Sequence, residues 1–333
     1  MTKKASTLTD VARIAGVSES TVSRALNDSH LVSEKTRKRI KQIAADMGFK
    51  INTLARNLRT QKSYTIAVVL VVSSEEDQSA SDPFLLSLVG VIADELSKRN
   101  YDLLLSSHPG KSLEKVPELV SQKKADGVIL FGQGDDIAHF TEVVKPELPA
   151  IVWGQVAPDS GYVTVGTDNY QGGLLATQHL LQTGRKNICF AGHLSYETAQ
   201  RYQGYQQAIR DAGKQYSHHL DVHFSFSDAY AITQSLLQDE QFHYDAIVAA
   251  SDTIALGMMK ALSEAGKHIP QDVAFVGYDD ISVSTYTTPS LSTIRQDTRK
   301  GGEKLVELLF ERLEGKSAES FLLDTQLIKR SSS

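Results

Sequence analysis

TLTDVARIAGVSESTVSRALN, residues 7–27, reads as a helix, a tight turn and a second helix. Thr7-Leu8-Thr9-Asp10 is a capping box, in which Thr7 accepts from the helix start and Asp10 reaches back. Val11, Ile14 and Ala15 fall on one face, and Gly16 ends the helix because glycine takes a left-handed turn cheaply. Ser18 caps the next helix, with Val22, Ala25 and Leu26 as its buried stripe. Ser33 caps a third, where Ile40, Ile43, Ala44 and Met47 follow helical spacing and Gly48 closes it. Two helices joined by a three-residue turn containing glycine, braced by a third, predict a helix-turn-helix head. With the stripe turned inward, Glu19, Ser20, Ser23 and Arg24 face outward, in the turns that a recognition helix aims at base edges. The alternative is a small three-helix bundle with a polar face.

Charge separates the two. Residues 1–62 hold 13 Lys and Arg against 5 Asp and Glu, a net of +8, while the rest of the 333-residue chain carries −13. A basic head on an acidic body suits a polyanionic partner, and Arg37, Lys38, Arg39 and Lys41 lie close by. Glu19 runs against this trend. Its place in the first turn is favoured by the helix dipole, and a carboxylate in the major groove also accepts from cytosine N4 and repels acceptor edges.

Residues 50–60, KINTLARNLRT, form a further element. Asn52 is the expected N-cap. Leu54, Ala55 and Leu58 share a face, with Arg56 and Arg59 away from it. So short a helix is not stable alone, but two copies packed on DNA can wedge apolar side chains into a minor-groove base step.

From residue 65 onward, apolar runs alternate with helical stretches: TIAVVLVV (65–72), YDLLLSS (101–107), DGVILFG (126–132), AIVWGQV (150–156), VTVGTD (163–168), NICFAGH (187–193), DVHFSF (221–226), AIVAAS (246–251) and VAFVGYDD (273–280). Near-continuous apolar strands separated by helices predict parallel sheets covered on both faces. Two such series of similar length predict an α/β body of two doubly wound subdomains behind the all-α head.

Ligands of such sheets bind beyond the carboxyl ends of the strands. The residues there include Asp82, Phe84, Trp153, Asp168, His193, Phe224, Ser251 and Asp279, with Arg201 near the start of a helix. Carboxylates and arginine exchange hydrogen bonds with hydroxyls, and aromatic rings pack on the C–H face of a sugar. The set suits a neutral polyhydroxylated ligand better than a phosphate. Competing local roles exist: Asp168 as the cap of the helix near Tyr170, Asp279 as the cap of a short helix at Ile281, and Trp153 as core. His218, His219 and His223 raise a metal, but no cysteine is nearby, and a surface histidine cluster is the simpler reading.

The head and hinge, TLTDVARIAGVSESTVSRALN with VSEKTRKRI and NTLARNLRT, resemble the LacI/GalR family of bacterial repressors. More loosely, VGTDNYQGG, RYQGYQQAI, SDTIALGMM and VAFVGYDDISVS resemble that family's effector-binding core, which is similar to periplasmic sugar-binding proteins. The resemblance implies a homodimer on pseudo-palindromic operator DNA and a small-molecule effector, expected to be a sugar, with no cofactor and no membrane. It implies DNA contacts from Thr7, Ser18, Glu19, Ser20, Thr21, Ser23, Arg24, Asn27, Asn52, Ala55, Arg56 and Leu58. Leu58 takes the intercalating position with Ala55 beside it, although Ile51 stands where the family usually has proline. Glu19 and Ser20 occupy the operator-discriminating pair. In the core it implies Arg201 and Asp279 as central effector contacts and Asp168 as a third. Ser251 stands where many sugar-responsive members have Asn. Phe224 takes the stacking position, with Phe226 as competitor.

The domain division follows: 1–49 helix-turn-helix, 50–62 hinge helix and linker, and 63–333 effector-binding and dimerisation core. Within the core, one subdomain spans about 63–161 and 291–321 and the other about 162–290 and 322–330. The alternatives are a purine corepressor, control by a protein partner, or an enzyme on a doubly wound sheet. For an enzyme the motifs are absent, since FGQGDD has only two glycines of a phosphate loop and there is no P-loop or G-x-S-x-G. The start, MTKKASTLTD, lacks the apolar run of a signal peptide. Cys189, the single cysteine, excludes an intrachain disulfide, so a cytoplasmic protein is expected. The ending LIKRSSS carries no leucine heptads, which favours a dimer over a coiled-coil tetramer.

Overall fold

The computed structural model describes residues 7–26, 29–49, 61–71, 80–107, 113–134, 136–156 and 160–333. Asn27, Asn52, Ala55, Arg56 and Leu58, named above as DNA contacts, lie outside them. The chain divides into two compact units between Lys62 and Ser63.

The first unit holds α1 (Leu8–Ala15), α2 (Glu19–Leu26) and α3 (Glu34–Asp46). The capping box at Thr7 is formed, and Gly16 has φ 64°. Ser33 Oγ accepts from the Thr36 N–H, and Gly48 turns the chain at φ 62°. Val11, Ala15, Val22, Ala25, Ile40 and Ala44 make the core. The expected inward Ile14 is 56% exposed, and Ala12 is buried in its place. Close helix crossing favours the smaller side chain on that edge.

The second unit contains two six-stranded sheets. The first runs β11-β5-β4-β3-β1-β2, from β1 (Thr65–Leu70), β2 (Asp102–Ser107), β3 (Gly127–Phe131), β4 (Ala150–Trp153), β5 (Val163–Thr167) and β11 (Phe321–Leu323). All its pairings are parallel. Ile66, Val68 and Leu70 of β1 enter one core and Ala67 and Val69 the opposite one, which is why this strand is apolar throughout. Helices α4 (Pro83–Ser97), α5 (Val116–Ser121), α6 (Ile137–Val143) and α12 (Thr298–Leu313) belong to this lobe.

The second sheet runs β12-β10-β9-β8-β6-β7, from β6 (Ile188–Ala191), β7 (His218–Leu220), β8 (Ala246–Ala249), β9 (Ala274–Asp279), β10 (Ser292–Arg295) and β12 (Gln326–Ile328). It is parallel except for β12, which is antiparallel to β10. Its helices are α7 (Asn169–Gln182), α8 (Tyr196–Asp211), α9 (Phe226–Gln238), α10 (Asp252–Glu264) and α11 (Ser282–Tyr286).

Three expectations shift. The strand expected at 221–226 lies at His218–Leu220, paired with Cys189–Ala191. Ser225 is an N-cap accepting from the Asp228 N–H, so Phe226 opens a helix. His218 and His219 are therefore the strand residues, and His223 follows them; among the described residues no group of three or more His, Cys, Asp or Glu stands where it could hold a metal ion. The expected change of subdomain near 160 falls after β5, which pairs with β4 in the first sheet. The second, expected near 290, falls after β10, which pairs with β9. The third separates β11 from β12. No helix among the described residues is long and apolar enough to cross a membrane.

Candidate functional site

The exposed face of the head is built by α2. Ser18 Oγ accepts from the Thr21 N–H at 3.2 Å and contacts the hydroxyls of Ser20 and Thr21 at 2.8 Å. Ser18, Glu19, Ser20 and Arg24 are exposed, while Thr21 and Ser23 are half-buried. The Glu19 carboxylate accepts from Thr9 Oγ1 at 2.6 Å, so α1 holds one of its oxygens. Arg39 on α3 donates to the Ala15 carbonyl at 2.9 Å, using a cation to satisfy the open end of α1.

In the second unit the carboxyl ends of both sheets face a cavity of about 120 Å³. Phe84, Trp153, His193, Arg201, Phe224 and Asp279 all line it. Phe84 and Trp153 lie with ring centroids 5.7 Å apart. Trp153 is 6% exposed and packs in the lobe's core as well, so its two expected roles coexist.

Arg201 is buried on α8 and its guanidinium carbon lies 3.6 Å from the centre of the Tyr278 ring. It donates to Asn169 Oδ1 at 2.8 Å and to the Ala250 carbonyl. These partners hold a planar, permanently charged donor against the cavity. Asp279 has φ 111° and Asp280 φ 58°, two consecutive side-chain-bearing residues in a region usually left to glycine. Gln296 Nε2 donates to Asp279 Oδ1 at 2.8 Å, and Thr167 Oγ1 donates to Gln296 Oε1 at 3.0 Å. Burial raises the Asp279 carboxyl well above the usual carboxylate range, against the lowering effect of nearby Arg201. Backbone strain and a perturbed carboxyl in a cleft make Asp279 a candidate functional position. Asp279 does not cap α11, whose N-cap is Ile281.

Three expected residues lie elsewhere. Asp168 caps α7, accepting from the Gln171 N–H at 2.9 Å; it sits in the connection between the lobes, where its own N–H donates to Thr325 Oγ1 at 3.1 Å. Ser251 is fully buried and caps α10 through the Ile254 N–H. Asp82 caps α4, accepting from the Phe84 and Leu85 N–H groups. Its other oxygen accepts from Thr253 Oγ1 at 3.3 Å, across the lobes, and it lines an adjoining groove.

Asn169, offered with Asp168 at its strand end, also lines the cavity, which adds Thr167, Glu197 and Gln296 from outside the expected set. Glu197 stands one helical turn before Arg201, a spacing that puts both on one face and offers a readable signal. Gln296 follows β10, whose sheet the sequence reading misplaced. Asn169 donates to Gln155 Oε1 at 2.9 Å while accepting from Arg201. His193 holds Asp221 at 2.9 Å through Nδ1, and its carbonyl accepts from Thr198 at 2.6 Å. Among the described residues the cavity lining thus combines aromatic faces, amide groups, one arginine and two carboxylates, with no lysine.

Residues 7–52 match the lacI family of bacterial regulatory proteins, and residues 177–333 match the periplasmic binding protein-like domain. The HTH-type transcriptional regulator CelR of Thermobifida fusca is 32% identical, over 98% of both chains. The ribose operon repressor of Haemophilus influenzae is 31% identical over 92% of both. The transcriptional repressor PurR of Pasteurella multocida is 30% identical over 96% of this chain and 95% of its own. Among solved structures, a lac repressor dimer bound to operator and the anti-inducer ONPF superposes with a TM-score of 0.84, at 26% identity, covering 99% of each chain. A CelR–cellobiose complex gives 0.70 at 29% identity, covering 98% of this chain and all of the other.

Proposed function

The chain belongs to the LacI family of bacterial regulatory proteins, and we propose that it represses carbohydrate-utilisation genes under the control of a sugar bound between the lobes of its core. It is a DNA-binding transcriptional regulator and not an enzyme. The cavity carries the choice of ligand: Arg201, Asp279, Asn169 and Gln296 offer donors and acceptors beside the faces of Phe84 and Trp153. A neutral polyol satisfies both kinds of surface. CelR with cellobiose and the ribose operon repressor are relatives whose names carry sugars.

The mechanism is a population shift. Three connections join the lobes, after β5, after β10 and between β11 and β12. A ligand touching both sheets favours one lobe angle over another by its differential affinity. In a homodimer on a pseudo-palindromic operator, that angle sets the spacing of the two heads. Leu86 on α4 and Leu104 and Leu105 on the edge strand β2 are exposed apolar side chains suited to the dimer contact. The head would place Ser18, Glu19, Ser20 and Arg24 on base edges, in the cytoplasm where the DNA is.

The test is a thermal-shift panel of sugars and purine bases on the full-length protein. A ligand that binds the folded state raises the melting temperature by mass action. A sugar that shifts native protein and not Arg201→Ala supports the reading. A shift from purine bases alone supports the second reading, a nucleobase corepressor, which the PurR relative favours. Operator affinity should fall by roughly a thousandfold between low and moderate salt, as phosphate contacts release counterions.

A further inference from the structure

The binding space does not end at Phe224. That ring lines the inner cavity and also an outer groove of about 700 Å³. Ser81, Asp82 and Pro83 of the first lobe form one wall of the groove, and Phe224, Phe226 and Ser227 of the second lobe form the other. The inner cavity, about 120 Å³, is much the smaller of the two spaces. A second ring attached to one held there has the outer groove as its way on.

The outer groove has the chemistry of a sugar subsite. Phe226 is 45% exposed, and its ring is stacked on Tyr230 with 9° between planes and centroids 6.5 Å apart. Tyr230 is anchored in turn, donating to Glu264 and accepting from Gln234 Nε2. Phe226 is thus a braced flat platform turned to solvent. Beside it the hydroxyls of Ser225 and Ser227 lie 2.8 Å apart. Among the described residues lining it the carboxylates are Asp82 and Asp228, and none is Lys or Arg, which suits an uncharged ring better than a phosphorylated sugar.

We propose that the effector is a neutral disaccharide or longer oligosaccharide, with one ring in the inner cavity and the next on Phe226. This rests on the sugar reading above and specifies its size class.

The test is calorimetric titration of the full-length protein with matched pairs: glucose with cellobiose and maltose, galactose with lactose, xylose with xylobiose. At least one disaccharide should bind tenfold or more tightly than its component sugars. Phe226→Ala should weaken that disaccharide roughly three- to tenfold, the scale of one lost aromatic contact, and leave component sugars unchanged. Phe226→Tyr, which keeps the ring, should restore it. Equal affinity for single and paired rings, or a disaccharide indifferent to Phe226→Ala, would overturn the second subsite and leave the sugar reading standing. If no sugar of either size binds, the sugar reading falls, and this inference with it.

Discussion

The Glu197 carboxylate, in the first turn of α8, accepts a hydrogen bond across the cleft from the backbone N–H of Gln133, just beyond β3, at 2.9 Å. The two residues belong to different lobes. Gly154 makes room for the contact: a Cβ there would stand 3.1 Å from Glu197 Oε1 and 2.6 Å from Gln133 Oε1. A hydrogen bond to a charged group contributes about 1.5–3 kcal/mol. Glu197→Ala should therefore raise hydrogen exchange at the Gln133 amide by roughly ten- to a hundredfold, as the lobes part more often. Unchanged protection at Gln133 would mean that the bond has no part in holding the cleft.

The site depends equally on bare backbone away from the cavity. A Cβ on Gly173 would fall 1.9 Å from the Arg201 carbonyl oxygen, and one on Gly204 would fall 2.0 Å from that of Tyr170. These glycines let α7 and α8 touch, which sets where Arg201 stands. The obstacle is backbone, so side-chain rotation gives no relief. Gly173→Ala should cost about 1–3 kcal/mol or more, as overpacking does, and should weaken effector binding although Gly173 is outside the cavity. Thermal denaturation and titration check both; an unchanged melting temperature would show that the helices separate freely.

Asp252 predicts a pH dependence. It is fully buried and accepts from Thr293 Oγ1 at 2.6 Å, Ser284 Oγ at 2.7 Å and the Ile281 N–H at 3.0 Å. Burial outweighs these bonds and pushes its carboxyl up to about 7 from an ordinary 3.8. Between those values the folded chain keeps a proton that the unfolded chain has lost. The contribution is fully present below the lower value and is lost as pH rises through the upper one. Wild-type stability relative to Asp252→Asn should thus decline from pH 5 to pH 8, by about 2.7 kcal/mol, the two units between pH 5 and 7 at 1.36 per unit. Denaturant melts across that range check this, and a flat difference would mean that Asp252 ionises at its ordinary pH.

Glu19 Oε1 accepts from Thr9 Oγ1, and on the proposed reading the carboxylate's other oxygen meets a base edge. Glu19→Ala should relax preference at one base pair in each half-site, by about 1–3 kcal/mol of discrimination. Thr9→Val, which frees the carboxylate to turn, should change the same base pair and no other. Selected-site profiles of the two variants decide the matter. If both match wild type, Glu19 serves only the helix dipole and its bond to Thr9.

Much of this molecule was legible along the chain. The capping box at Thr7, the left-handed turn at Gly16 and the cap at Ser33 are contacts within a few residues, so residue type and spacing contain them. The central strands, such as β1, β3, β8 and β9, were legible for a related reason, since both of their faces are buried and their sequences are largely apolar. Arg201 and Asp279 could be placed at one cleft because strand ends in doubly wound sheets converge.

Asp82, Asp168 and Ser251 mark the limit. Each follows a strand and precedes a helix, where a polar side chain can turn toward the helix N–H groups or toward the cavity. Nothing local separates those choices, and the tertiary structure turned all three to the helix.

The sequence by itself determined the helices of the head, most of the strands of the body and their order, and the chemistry available at their ends. Tertiary structure alone decided that β5 joins one sheet and β10 the other, and that Glu197 reaches Gln133 across the cleft. The physical reason is range. Caps, turns and burial periodicity are set by neighbours a few residues apart, whereas strand partners and contacts between lobes join residues far apart in the chain, and only the packing of the whole core selects among pairings that are locally alike.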